Sequence, residues 1–289
     1  MTTRHSKPNP FLEVRTHIVD TMPTTCGLCA GYEKEEWRSK QLANHIMEWL
    51  PEFALTTSEC AGINQATAVD FLRRAAQTVY QTDKFSKRGE FGELILHAVI
   101  RQVHDSLPAI SKIYYKTAAN DTVKGFDAVH VVGPTDDLEL WLGEAKFYNE
   151  INRAISDVTK ELEVHLGADY LRSEFLLIKG KIDESWPQAE ALRKLISANT
   201  SLDIIFKRIC IPVLLTYDSN CISRHKECTV EYIADFEKEI AEYSKKFADS
   251  IAVKGLPKQV RIHLFLLPLH EKKALIKALD EKLKVWQKI

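Results

Sequence analysis

Asp127, Glu144 and Lys146 lie in two short apolar runs, GFDAVHVV and LELWLGEAKF, joined by the turn-forming segment Gly-Pro-Thr-Asp-Asp. Both runs are rich in β-branched and aromatic residues, so the pair reads as an antiparallel hairpin. With the turn centred between Thr135 and Asp136, Gly133 faces Leu138. Counting outward without a bulge sets Asp127 directly across from Glu144. Directly opposed residues share one face, with Cβ atoms roughly 4.5–5.5 Å apart. Lys146 returns to that face two residues on, opposite Gly125, which has no side chain to crowd it. Two carboxylates that close repel unless a cation sits between them. A divalent metal satisfies them, and Mg²⁺, or Mn²⁺ in its stead, suits a site of few carboxylates that also meets phosphate oxygens. Such a metal polarises a phosphate and helps generate hydroxide. The lysine orients the attacking water and offsets charge growing on the phosphate. These are the parts required for phosphodiester hydrolysis.

The elements around the hairpin have to bring it to a cleft. Phe91, Leu94, Ile95, Ala98 and Val99 recur at helical spacing and predict a helix over 91–103 with a continuous core-facing stripe. A short β-rich run over 111–117 precedes the hairpin, and a second amphipathic helix over 149–166 follows it. Strands are expected at 175–178 and 211–216, then a charged helix at 230–247, a strand at 260–267 and a helix at 271–286. Upstream, 37–50 and 66–80 read as helices. Both faces of the hairpin are apolar, with Val129, Val131, Leu140 and Leu142 on one and Phe126, Ala128, Trp141 and Phe147 on the other. Strands buried on both sides need layers above and below, and a three-layer α/β/α sandwich supplies them.

At this point the motif acquires a relative. GFD, a short turn and then GEAKFY resembles the D…ExK signature of the PD-(D/E)XK nucleases, and the order from Phe91 to Thr216 is similar to their helix–strand–strand–strand–helix–strand core. The literal Pro before Asp in that signature is Phe126 here. The resemblance implies a restriction-endonuclease-like three-layer sandwich with a central mixed sheet. It implies Asp127 and Glu144 as metal ligands and Lys146 as the catalytic lysine. Many members add a glutamate from the helix before the first strand. RGEFGELIL offers Glu90 and Glu93 as catalytic or metal-binding carboxylates, with Glu93 favoured because Gly92 lets the helix approach the sheet. The alternative for both is a solvated helix face continuing through His97, Arg101 and His104. For Glu144 and Lys146 the alternative is a surface salt bridge on an edge strand. His130 faces away from Asp127 and reads as a packed core histidine.

Over the whole chain, the early helical region, this core and the ending VRIHLFLLPLHEKKALIKALDEKLKVW look like the nuclease-like (HamA-type) subunit of the Hachiman anti-phage defence system, formerly a domain of unknown function. That resemblance implies a superfamily 2 helicase as partner and DNA as substrate. The expected division is a mostly helical N-terminal region over 1–85, the nuclease core over 86–220 and an α/β extension over 221–289.

Composition limits how such a protein would hold DNA. The 289 residues carry 39 Lys plus Arg against 40 Asp plus Glu, which excludes a grip by bulk charge, since phosphate binding relies on clustered cations. A local basic groove or a partner has to deliver the strand. Lys112, Lys116 and Lys124 are candidates for tracking the backbone, with strand-end solubilising charge as the plainer reading. No membrane-length apolar run and no signal-like N-terminus are present, so a cytoplasmic location is expected. The six cysteines are too sparse for a disulfide scaffold. Cys26 and Cys29 form a CxxC, but Cys221 and Cys228 have six residues and His225 between them, so reduced thiols in a partly buried loop outweigh a structural metal. A second functional class stays open alongside the nuclease, namely a catalytically silent regulatory or adaptor subunit that keeps the fold. A hydrolase acting on small phosphoesters or tRNA-like substrates is a third.

Overall fold

A computed structural model of the chain describes residues 7–79, 89–111 and 125–289. In chain order the elements begin with strands β1 (Glu13–Ile18), β2 (Thr24–Cys29), β3 (Tyr32–Glu33) and β4 (Glu36–Trp37), then helices α1 (Ser39–Glu48), α2 (Leu50–Ala54), α3 (Thr57–Cys60) and α4 (Ala68–Thr78). The middle of the chain supplies α5 (Glu90–His104), β5 (Leu107–Ser111), β6 (Ala128–Val132), β7 (Glu139–Phe147), α6 (Ile151–His165), α7 (Ala168–Lys179), α8 (Ala189–Leu195), α9 (Leu202–Phe206) and β8 (Ile209–Asp218). It closes with α10 (Asn220–Arg224), α11 (Val230–Ala252), β9 (Arg261–Leu269) and α12 (Lys272–Trp286).

Seven strands form one mixed sheet in the order β1-β2-β9-β8-β7-β6-β5. Its middle, β2-β9-β8-β7, is parallel, and the pairs at both margins are antiparallel. Parallel strands covered on both faces read as near-continuous apolar runs, as Ile209–Tyr217 and Leu264–Leu269 do, all of them buried. Helices cover both faces. On one, α5 lies so close to β7 that a Cβ on Gly92 would come 2.9 Å from the Phe147 Cβ and 3.7 Å from the Ala145 Cβ. On the other, α6 and α11 pack, and a Cβ on Gly27 would meet Ile240 and Phe236 of α11.

Within the region over 1–85 the strands β1 and β2 join the main sheet beside helices α1 to α4, and within the segment after 220 the strand β9 is inserted between β2 and β8, so the sheet runs through all three expected regions. Two expectations need correction. Residues 175–178 are helical. Leu171, Glu174, Phe175 and Ile178 are buried at helical spacing while Leu176 and Leu177 are exposed, so FLLI is one turn of α7 and not a strand. Cys26 and Cys29 lie in strand β2 rather than in a loop, both buried, and burial pushes the Cys26 thiol up to about 11. Of the strand expected at 111–117 only Ser111 is described, as the last residue of β5 (Leu107–Ser111), and positions 112–117 lie outside the described residues. No helix among the described residues is long and apolar enough to cross a membrane.

Candidate active site

The β6–β7 register is the one expected from the turn. Ala128 pairs with Gly143, Val129 with Leu142, His130 with Trp141 and Val131 with Leu140. The paired register ends there: the Asp127 N–H donates to the Gly143 carbonyl at 2.8 Å and not to Glu144, so the ladder is irregular where Asp127 enters β6 and the direct Asp127–Glu144 opposition expected from bulge-free counting is not part of it. The Asp127 Oδ2 then accepts from the Ala145 N–H at 2.9 Å, so the carboxylate takes over where the strand ladder ends. Asp127, Glu144 and Lys146 are 6%, 2% and 9% exposed. On its other side β7 pairs with β8, Glu144 beside Val213 and Lys146 beside Leu215. A central strand leaves no place for the surface salt bridge of an edge strand.

Alternation along β7 divides its neighbours. Gly143, Ala145 and Phe147 face α5, where a Cβ on Gly143 would come 2.8 Å from Leu96. Glu144 and Lys146 point the other way, toward α6. There the His165 Nδ1 lies 2.6 Å from the Glu144 Oε1, and the Lys146 ammonium donates to Glu161. Glu161 and His165 stand one turn apart on the same side of α6. The His165 ring stacks on Tyr170 (centroids 4.4 Å apart, planes at 16°) and meets Phe126 edge-on at 5.2 Å. Gly125, at φ +153°, admits a further acid, because a Cβ there would come 2.8 Å from the Glu174 carboxylate. Sequence reading did not find Glu161, His165 or Glu174. The one local signal was that His165 continues the spacing of the buried stripe Ile151, Ile155, Val158, Leu162.

The electrostatics follow from burial. Desolvation pushes the Glu144 carboxyl up, and Asp127 adds to this, while His165 and Lys146 pull it back. Burial would lower His165, but Glu144, Glu161 and Asp127 raise it above the ordinary imidazole range. These shifts compete for one proton along a single bond. We place it on the imidazole, which three carboxylates surround. Lys146 is likewise held above its ordinary value, against burial, by Glu144, Glu161 and Asp127.

Glu90 and Glu93 lie across β7 from Glu161 and His165. They occupy the first turn of α5, the helix on the opposite face of β7. Their alternative, a solvated face through His97 and Arg101, is corrected. Both of those residues are 1% exposed and bonded to Glu52 of α2. His130 is a packed core histidine, 2.8 Å from the Ser106 hydroxyl and 3.2 Å from His97. Lys112, Lys116 and Lys124 lie outside the described residues. Among the described residues no group of three or more His, Cys, Asp or Glu side chains is arranged to hold a metal ion. The Asp127–Glu144 pair nonetheless suits Mg²⁺, which takes one or two carboxylates and fills its octahedron with water and phosphate oxygens. The upward push on buried Glu144 is the penalty that a cation would relieve.

A family model described as HamA matches residues 9–283 of the chain. Anti-bacteriophage protein A of Escherichia coli (strain K12) is 26% identical over 260 residues, which is 88% of this chain and 46% of that protein. The chain therefore spans under half the length of that curated relative. No solved structure matches.

Proposed function

The chain belongs to the HamA family, and from that premise we propose that it is a metal-dependent DNA nuclease acting in defence against phage. The defence role is carried over from the name of the Escherichia coli relative. The chemistry is carried by one observation: Asp127 at the entry to β6 and Glu144 and Lys146 of β7 are buried together, close enough for each carboxylate to act on the ionisation of its neighbours. A structural role would be better served by apolar residues, since burying such charges costs several kcal/mol per ion.

In this reading the fold is restriction-endonuclease-like, with α5, β5, β6, β7, α6 and β8 as its core. Asp127 and Glu144 hold Mg²⁺, which when bound supplies Lewis-acid polarisation of the phosphate and a more acidic water. Asp127 keeps its orientation through the Ala145 N–H. Lys146 orients the nucleophilic water and balances the charge that develops on the phosphate. With 39 basic against 40 acidic residues, the chain is suited to receive its strand from a helicase partner, which we place in superfamily 2.

The adaptor reading has one observation in its favour: Lys146 and Glu144 each already have an internal partner, Glu161 and His165. The two readings separate when purified protein, alone and with its helicase, is incubated with linear and circular DNA in Mg²⁺ and in EDTA. The nuclease reading expects cutting that requires metal and falls by on the order of 10²–10³-fold in Glu144→Ala and Lys146→Ala. Undiminished cutting in both variants would overturn the site. Helicase binding without any cutting would leave the adaptor.

A further inference from the structure

We propose that His165 and Glu161 of α6 are the positioning residues of this site, His165 for the Glu144 carboxylate and Glu161 for the Lys146 ammonium. The proposal rests on the nuclease reading above. A glutamate on a strand has three side-chain torsions, and a site that binds a cation needs them settled beforehand. His165 is built to do this. Its ring is stacked on Tyr170 and held edge-on by Phe126, which is fully buried and precedes Asp127 in the chain. Its Nδ1 reaches the Glu144 Oε1 at 2.6 Å between side chains 15% and 2% exposed. With Oε1 held by the imidazole, Oε2 is the oxygen that Glu144 offers to a cation. The same contacts tie Phe126, and through it the end of β6 that carries Asp127, to α6. One ring thus fixes both carboxylates relative to each other.

Glu161 acts at the other end of the pair. Its side chain is 41% exposed, so its bond to Lys146 is screened by water and yields to a stronger anion. It points the ammonium along the face shared with Glu144 and releases it when a phosphate arrives. Hydrogen-bond partners behind metal-binding groups set ligand orientation and basicity, and losing one costs roughly 10–100-fold in metal affinity or activity.

The test uses the full chain, with Mn²⁺ as the probe ion measured by titration calorimetry and DNA cleavage resolved into kcat and KM. His165→Phe keeps a ring between Tyr170 and Phe126 but removes the bond, whereas His165→Asn keeps a donor near the Nδ1 position. His165→Phe is expected to weaken Mn²⁺ binding and lower kcat by about 10–100-fold with KM for DNA unchanged, and His165→Asn to recover most of both. Glu161→Gln is expected to lower kcat while leaving Mn²⁺ affinity unchanged, because it acts through the lysine. Wild-type binding and cutting in His165→Phe would overturn the role of His165, as would equal impairment of His165→Phe and His165→Asn. A rise in kcat in Glu161→Gln would make that contact a brake and overturn its part. If the wild-type chain neither binds Mn²⁺ nor cuts DNA with its helicase, the nuclease reading itself fails and this proposal falls with it. Binding and cutting by the wild type with no response in the variants removes only the proposal.

Discussion

Asp127 has two functions that substitution can separate. Its Oδ2 accepts the Ala145 N–H where the β6–β7 ladder runs out, and its charge faces Glu144 and Lys146. Asp127→Ala would leave a half-buried N–H without its acceptor, which costs about 1–3 kcal/mol. Asp127→Asn keeps an acceptor oxygen and loses only the charge. We expect urea unfolding to show the loss of stability in Asp127→Ala and little of it in Asp127→Asn, with cleavage abolished in both. Spacing set the register of β6 on β7 as far as Ala128 and Gly143, because antiparallel pairing across a tight turn is settled by counting, but the irregular ladder at Asp127 lay beyond it. Glu161 and His165 were not visible from spacing, since a helix joined by a short loop gives no record of which of its polar residues reaches which strand atom. Spacing is equally silent on where the first turn of α5, which carries Glu93, sits against β7. Gly92 does bring α5 onto β7, but onto the face of Ala145 and Phe147.

Among the elements, α2 and α5 are held by a buried network that spacing cannot show to be buried. Glu52 accepts from His97 and from two nitrogens of Arg101, and Arg101 also donates to the Ser106 carbonyl. Burial alone would raise the Glu52 carboxyl, yet His97 and Arg101 hold it down at about 2. A carboxylate lowered in the folded state stabilises above its unfolded value, near 4.5, and loses that contribution as pH falls toward about 2. His130 is lowered by burial and by the nearby His97. His104 and His263 are lowered to about 4, chiefly by burial. A lowered histidine stabilises fully above its unfolded value, near 6.5, and the contribution is lost as pH falls through the folded one. Stability measured by urea unfolding should therefore decline in two stages. The histidines account for the fall between about pH 6.5 and 4, and Glu52 for the steeper loss below about 4.5. Glu52→Gln should remove the second stage. Because it strips the buried Arg101 of its anion, it should also cost about 3–5 kcal/mol at neutral pH.

For the whole molecule the sheet order carries the consequence. β9 lies between β2 and β8, so a strand from near the end of the sequence completes the middle of the sheet and β2, from near its start, pairs with it. A fragment ending at residue 220 would open β2 and β8 to solvent along unpaired edges. It should show no cooperative urea transition and should aggregate on dilution from denaturant. A cooperative transition in that fragment would support the boundary expected at 220. The charge balance belongs to this scale as well: a chain with 39 basic and 40 acidic residues has little long-range pull on DNA, which is why the proposal gives strand delivery to a partner.

The sequence by itself determined what depends on neighbours along the chain. The apolar stripe of α5, the uninterrupted runs of β8 and β9, and the register of β6 on β7 from Ala128–Gly143 to Val132–Glu139 each follow from spacing within some twenty residues. Only the tertiary structure decided the rest. It set which helix covers which face of β7, placed β9 and β2 beside the core, and buried the polar side of α5 under Glu52. Parallel pairing and helix-on-sheet packing join segments far apart in sequence, and many registers satisfy the same apolar pattern until the whole core is closed. The nearness of Asp127, Glu144 and Lys146 was readable because a turn made them local; their contacts with Glu161 and His165 were not.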